Sequence, residues 1–157
     1  MKNINKSLPV ILILVISILF RASFSPAPFW VDEFNSGIQA VNLLSIFQSG
    51  DSSMYIENNN YFSHFLIAIF FKAFGQSESI ARLPFMIAGS LVPVAIYFLA
   101  KKLFDFKTAI SSALLVSLSY FELAWSNQAR GYVLQQLISS LLFLFYYEFL
   151  IIKKKLL

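Results

Sequence analysis

The chain has 157 residues, 58% hydrophobic and only 13% charged, with 18 Phe, no Cys, one His and a formal charge of +4. Soluble domains run about 45–50% apolar and about 25% charged, so this balance belongs to a lipid-embedded protein. It excludes disulfides, thiolate chemistry and Cys- or His-rich metal sites, and lysines beside apolar runs fit a cytoplasmic membrane surface rather than nucleic acid.

A short polar start with Lys2 and Lys6 leads into an apolar segment whose uninterrupted run, 8–20, is brief enough to compete as a cleaved signal peptide. Arg21, directly after the run, favours a retained helix, and is expected to snorkel to the outer interface. Pro26 and Pro28 stop that helix. The stretch Trp30-Val31-Asp32-Glu33-Phe34-Asn35-Ser36 then opens a second one, with Asp32 expected as N-cap and Glu33 in the first turn. Phe34, Ile38, Val41 and Phe47 share one face, while Glu33, Asn35, Ser36, Gln39 and Asn42 lie largely elsewhere. This predicts an amphipathic helix lying in the membrane surface, closed by Ser49-Gly50.

A polar, irregular stretch follows and contains Glu57-Asn58-Asn59-Asn60. Residues 61–74 are apolar and aromatic, but fall short of the ~20 residues a spanning helix needs. They predict a second interfacial helix, with His64 as a polar tip. Gly75 breaks it, and Ser77 or Ser79 is placed to cap the next. Three long apolar segments complete the chain. Pro84 is expected in a first turn, where its missing N–H matters little, and Pro93 in a kinked middle. Gln135 and Gln136 lie inside the last segment, where amides bond neighbouring helices.

The positive-inside rule selects the topology. If 61–74 does not span, Lys2, Lys6, Lys101, Lys102, Lys107 and Lys153 to Lys155 share the cytoplasmic side. Asp32, Glu33, Asp51, Glu57, Glu78 and Glu122 then share the other. The expected fold is an all-α polytopic membrane protein with four transmembrane helices (7–24, 82–103, 109–126 and 131–152). Its first outer loop, 25–81, carries interfacial helices at 32–48 and 61–74. Both termini lie inside the plasma membrane, with lipids as partners and no nucleic acid.

An outer loop opening with Asp-Glu, then Phe74-Gly75-x-Ser77-Glu78-x-x-x-Arg82-Leu83-Pro84, then Ser126-Asn127-Gln128-Ala129-Arg130-Gly131-Tyr132, form an ordered set. This set resembles the N-terminal part of the GT-C glycosyltransferases, among them the dolichyl-phosphate-mannose–protein mannosyltransferases and the bacterial aminoarabinose and Rgt-type transferases. The resemblance implies a sugar donor carried on a polyprenyl phosphate, an acceptor hydroxyl on protein, lipid or glycan, and transfer with inversion. It implies a catalytic carboxylate at Asp32 and a matching Arg at Arg82. Such transferases are longer than this chain, so the resemblance also implies the catalytic-loop portion of a larger fold.

Transfer to a hydroxyl needs a base for the acceptor proton and groups that stabilise the departing phosphate. Asp32 and Glu33 are the candidate catalytic acids, against plain capping roles. Arg82 and Arg130 stand outside, against the lysine bias, and suit a phosphate clamp; snorkelling anchors are the alternative. Glu57 is a candidate for acceptor or metal, against loop filler, and a divalent metal is left open. A non-catalytic membrane assembly or accessory protein, or an inactive fragment, is the rival reading of the whole chain.

Overall fold

The computed structural model describes residues 7–23, 28–50 and 60–156, and among these every regular element is helical. The elements are α1 (Leu8–Ser23), α2 (Val31–Ser49), α3 (Tyr61–Phe74), α4 (Glu78–Leu103), α5 (Phe106–Leu118), α6 (Tyr120–Ser126) and α7 (Tyr132–Leu156). The protein is an all-α membrane protein.

Helix α4 is the axis of the molecule, and α1, α3, α5, α6 and α7 all pack on it. Its 26 residues make a rod about 39 Å long. Its buried positions are mostly small or flat: Ala81, Ala88, Gly89, Ser90, Ala95 and Ala100. Small residues let backbones approach, which is how helices associate where lipid removes the hydrophobic drive between them. Ser77 caps it as the spacing predicts, accepting from the Ile80 N–H at 3.3 Å. Pro84, expected in a first turn, instead lies inside the helix because α4 begins at Glu78. The Ile80 carbonyl therefore lacks its usual partner at position 84.

The rod joins two apolar cores. One gathers Ala40, Leu43, Ile67, Phe71, Phe85 and Val133 from α2, α3, α4 and α7. The other gathers Ile13, Tyr97, Ala100, Ala109 and Ala113 from α1, α4 and α5. At the latter end Lys101 and Lys102 close α4, and Lys102 pairs with Glu148 of α7. Asp105 caps α5 through the Thr108 N–H at 2.7 Å, which holds its carboxyl below the usual 3.8.

Two helices are long and apolar enough to cross a membrane: α4, and α7 over Tyr132–Ile151. Helices α5 and α6 make a third crossing if taken together, but the chain turns by 57° between them. Helix α1, at 16 described residues, is shorter than the ~20 residues a crossing needs, so length and composition support two or three spans rather than four. The break at Ser119 divides the span expected at 109–126.

Helix α2 is built inside out for water. Glu33, Ser36, Gln39, Ala40 and Leu43 face the protein, whereas Phe34, Ile38 and Val41 are exposed at the surface. An apolar outer face with polar groups turned inward suits a lipid-facing position. His64, expected as an interfacial tip, is instead buried on α3 beside Ser63, Ile67 and Ala68. Its ring belongs to the stripe that packs against the rest of the protein.

Candidate active site

Three separate pieces of chain meet at one end of α4. The start of α2 supplies Asp32 and Glu33, the second turn of α4 supplies Arg82, and the turn between α6 and α7 supplies Ala129 and Arg130. All four charged candidates with described coordinates therefore converge. Glu57 lies outside the described residues.

Glu33 is almost wholly buried, with 1% of its surface exposed, yet its carboxylate is fully engaged. Arg82 grips it as a fork, Nε to Oε1 at 2.9 Å and Nη2 to Oε2 at 3.0 Å. The Ala129 N–H donates to Oε1 at 2.8 Å, and the Trp30 N–H reaches Oε2 at 3.4 Å. Glu33 thus turns back to the N-cap residue of its own helix, and that N-cap is Trp30. The N-cap expected at Asp32 falls two residues earlier, because Val31 is already helical. The Arg82 guanidinium, 4% exposed as a residue, also lies over the Phe29 ring at 4.7 Å. A planar cation held along one edge by a carboxylate and on one face by a ring is fixed in both direction and tilt.

Asp32 points the other way. Its side chain is 65% exposed and it pairs with Arg130 Nη1. Arg130 in turn lies over the Tyr132 ring, 5.3 Å from its centroid. Tyr132 meets Trp125 edge-on, with centroids 4.6 Å apart. Trp30, Asp32, Trp125, Gln128, Arg130 and Tyr132 line an open cavity of about 230 Å³, with Glu33 forming part of its wall. That is below the roughly 300–1,000 Å³ of pockets that engulf whole small molecules. It suits a small polar group rather than a whole engulfed ligand. A second cavity, about 330 Å³ and mostly apolar, lies beside Phe29 between Phe34, Ile38, Val41 and Phe71.

Among the described residues no three acidic or histidine side chains converge. Two buried groups carried no signal in the sequence. Arg21, expected to snorkel, is 1% exposed and bonds inside the protein to Ser17 and Ser126. Glu122, grouped with the outer acids, is buried and accepts from Gln136 Nε2 of α7. The apolar runs around both residues hid them, because helix packing rather than local sequence decides which face is enclosed.

Residues 60–156, more than half of the chain, match the family model described as dolichyl-phosphate-mannose-protein mannosyltransferase. The matched stretch contains Arg82, Glu122, Ala129 and Arg130; Asp32 and Glu33 precede it. No curated protein and no solved structure matches the chain.

Proposed function

The chain belongs to the dolichyl-phosphate-mannose-protein mannosyltransferase family, and from that premise we propose that it is the catalytic-loop part of an inverting GT-C glycosyltransferase. The donor is a polyprenyl-phosphate sugar, and the acceptor is a hydroxyl. The observation that carries the reading is the pair Asp32–Arg130: an exposed carboxylate beside a cation that lies over the Tyr132 ring, both lining a small open cavity.

Arg130 is only partly covered and is held by one acid, so an arriving phosphate competes for it directly. Transfer of Arg130 to the donor phosphate releases Asp32 from its partner and leaves its oxygens open to the acceptor hydroxyl. Asp32 then takes the proton of the acceptor hydroxyl as that oxygen bonds to the anomeric carbon. The bond from that carbon to the phosphate oxygen breaks, and the electron pair leaves on the phosphate, stabilised by Arg130. One carboxylate suffices, because a phosphate leaving group needs no separate acid. Glu33 and Arg82 hold the loop and the helix end that present this pair. Any divalent metal would add charge stabilisation at the same phosphate.

The end of α4 that carries Lys101 and Lys102 lies opposite this cluster. That polarity favours α1, α4, the bent α5–α6 pair and α7 as four crossings with the N-terminus cytoplasmic, and α2 and α3 at the outer face of the plasma membrane. Transfer should be assayed in membranes holding the natural form of the protein, with dolichyl-phosphate mannose and other defined polyprenyl-phosphate sugars. Asp32→Asn keeps the shape and removes the base, so transfer should fall by about 10²–10⁴-fold with membrane insertion intact. Turnover retained in Asp32→Asn would reject the assignment.

A further inference from the structure

Below the cluster a second polar layer crosses the protein. Arg21 of α1 donates from Nε to Ser126 Oγ at 3.0 Å, and from Nη1 to the Ser17 hydroxyl and carbonyl. The Ser126 hydroxyl donates onward to the Glu122 carbonyl, and the Glu122 carboxylate accepts from Gln136 of α7. Glu122 also acts on Arg21 electrostatically. Helix α4 leaves the space for this with Gly89, where a Cβ would clash with Ser126 Oγ and stand 2.9 Å from Arg21 Nε. Arg21 Nη2 and Glu122 Oε2 are both buried and without a hydrogen-bond partner among the described residues. A charge held that way in a membrane segment is expensive, and such residues are retained for what they do.

Ser126 is the last residue of α6, and Ala129 and Arg130 follow in the turn to α7. The hydroxyl that Arg21 grips is therefore three residues from the Glu33 ligand and four from the partner of Asp32. We propose that Arg21, acting through Ser126, is a positioning residue that sets the register of the 127–131 turn and hence the place of Arg130. Arg21 touches neither donor nor acceptor. The role rests on the transferase reading for its purpose, but the register of the turn can be measured without any transfer.

The chain lacks cysteine, which makes that measurement clean. A Cβ added at Gly131 would stand 3.9 Å from Ser63 Cβ, the separation a disulfide needs. Ser63→Cys with Gly131→Cys, in the full chain in membranes, should cross-link under mild oxidation and report where the turn sits. Adding Arg21→Ala should slow cross-linking about tenfold, with Arg21→Lys intermediate. Ser126→Ala leaves Arg21 and the helix in place and removes only the relay hydroxyl, so it carries the test if Arg21→Ala fails to insert; it too should slow the reaction. In the transfer assay, without the cysteines, Ser126→Ala should raise donor KM more than it lowers kcat. An unchanged cross-linking rate in Ser126→Ala overturns the proposal, whether or not transfer is lost. Slowed cross-linking beside a parent protein that transfers no sugar from any of those donors would instead remove the transferase reading and leave the positioning standing.

Discussion

Around Glu33 a carboxylate is enclosed, gripped by an arginine fork and two backbone N–H groups, and shut away from solvent. One residue earlier, around Asp32, a carboxylate stands at the surface with a cationic partner that is itself only partly buried. The same residue chemistry, separated by one peptide bond, serves two ends because consecutive positions on a helix point about 100° apart. The first region fixes where three pieces of chain meet. The second is free to exchange partners, and exchange is what chemistry requires.

The largest expected effect breaks the enclosed region. Glu33→Ala leaves Arg82 buried without its counter-charge and Ala129 without its acceptor, which should cost about 3–5 kcal/mol. Thermal unfolding in detergent, or loss of assembled protein from membranes, would show it. A Glu33→Ala protein as stable as the parent would mean that Arg82 finds water, and that the two regions differ less than their geometry states. Arg130→Ala sharpens the contrast from the other side. It removes a partly exposed pair, so stability should change by no more than about 1 kcal/mol in the same measurement. Donor KM should nevertheless rise, because the phosphate loses its cation.

The smallest effect sits at the far end, on a third carboxylate. Asp105 is wholly exposed and caps α5, and its carboxyl titrates below the usual value because the Thr108 N–H bonds the charged form. A lowered folded pKa contributes stability above the unfolded value of 3.8 and loses it as pH falls through the folded value. Amide exchange at Thr108 should therefore quicken only on acidification below the ordinary carboxylate range, and Asp105→Ala should abolish that pH dependence. Transfer should be untouched by it.

Much of this was legible in the residues. The acid pair drew notice as a charged cluster in an apolar chain, and Arg82 and Arg130 as cations on the wrong side for lysines. Their convergence is a matter of fold. Nothing in a separation of 49 or 98 residues tells which arginine takes which acid. The inner layer escaped because Arg21 at a helix end reads as an anchor, while its burial depends on Gly89 of α4 making room. The bend at Ser119 escaped as well: no proline or glycine marks it, and hydropathy runs unbroken through 109–118. His64 was misread for a similar cause, since a 14-residue apolar helix gives no sign of which stripe will be covered.

The fork on Glu33 has a consequence for how the protein is made. Its partners Arg82 and Ala129 are synthesised 49 and 96 residues later. During that interval the acid must stay hydrated, since an unpaired carboxylate cannot rest in hydrocarbon. Closure of the fork is thus a late event in biogenesis, timed by arrival of the α6–α7 turn. Until then α2 has its neighbour α3 to pack on, but not the partners of its first turn.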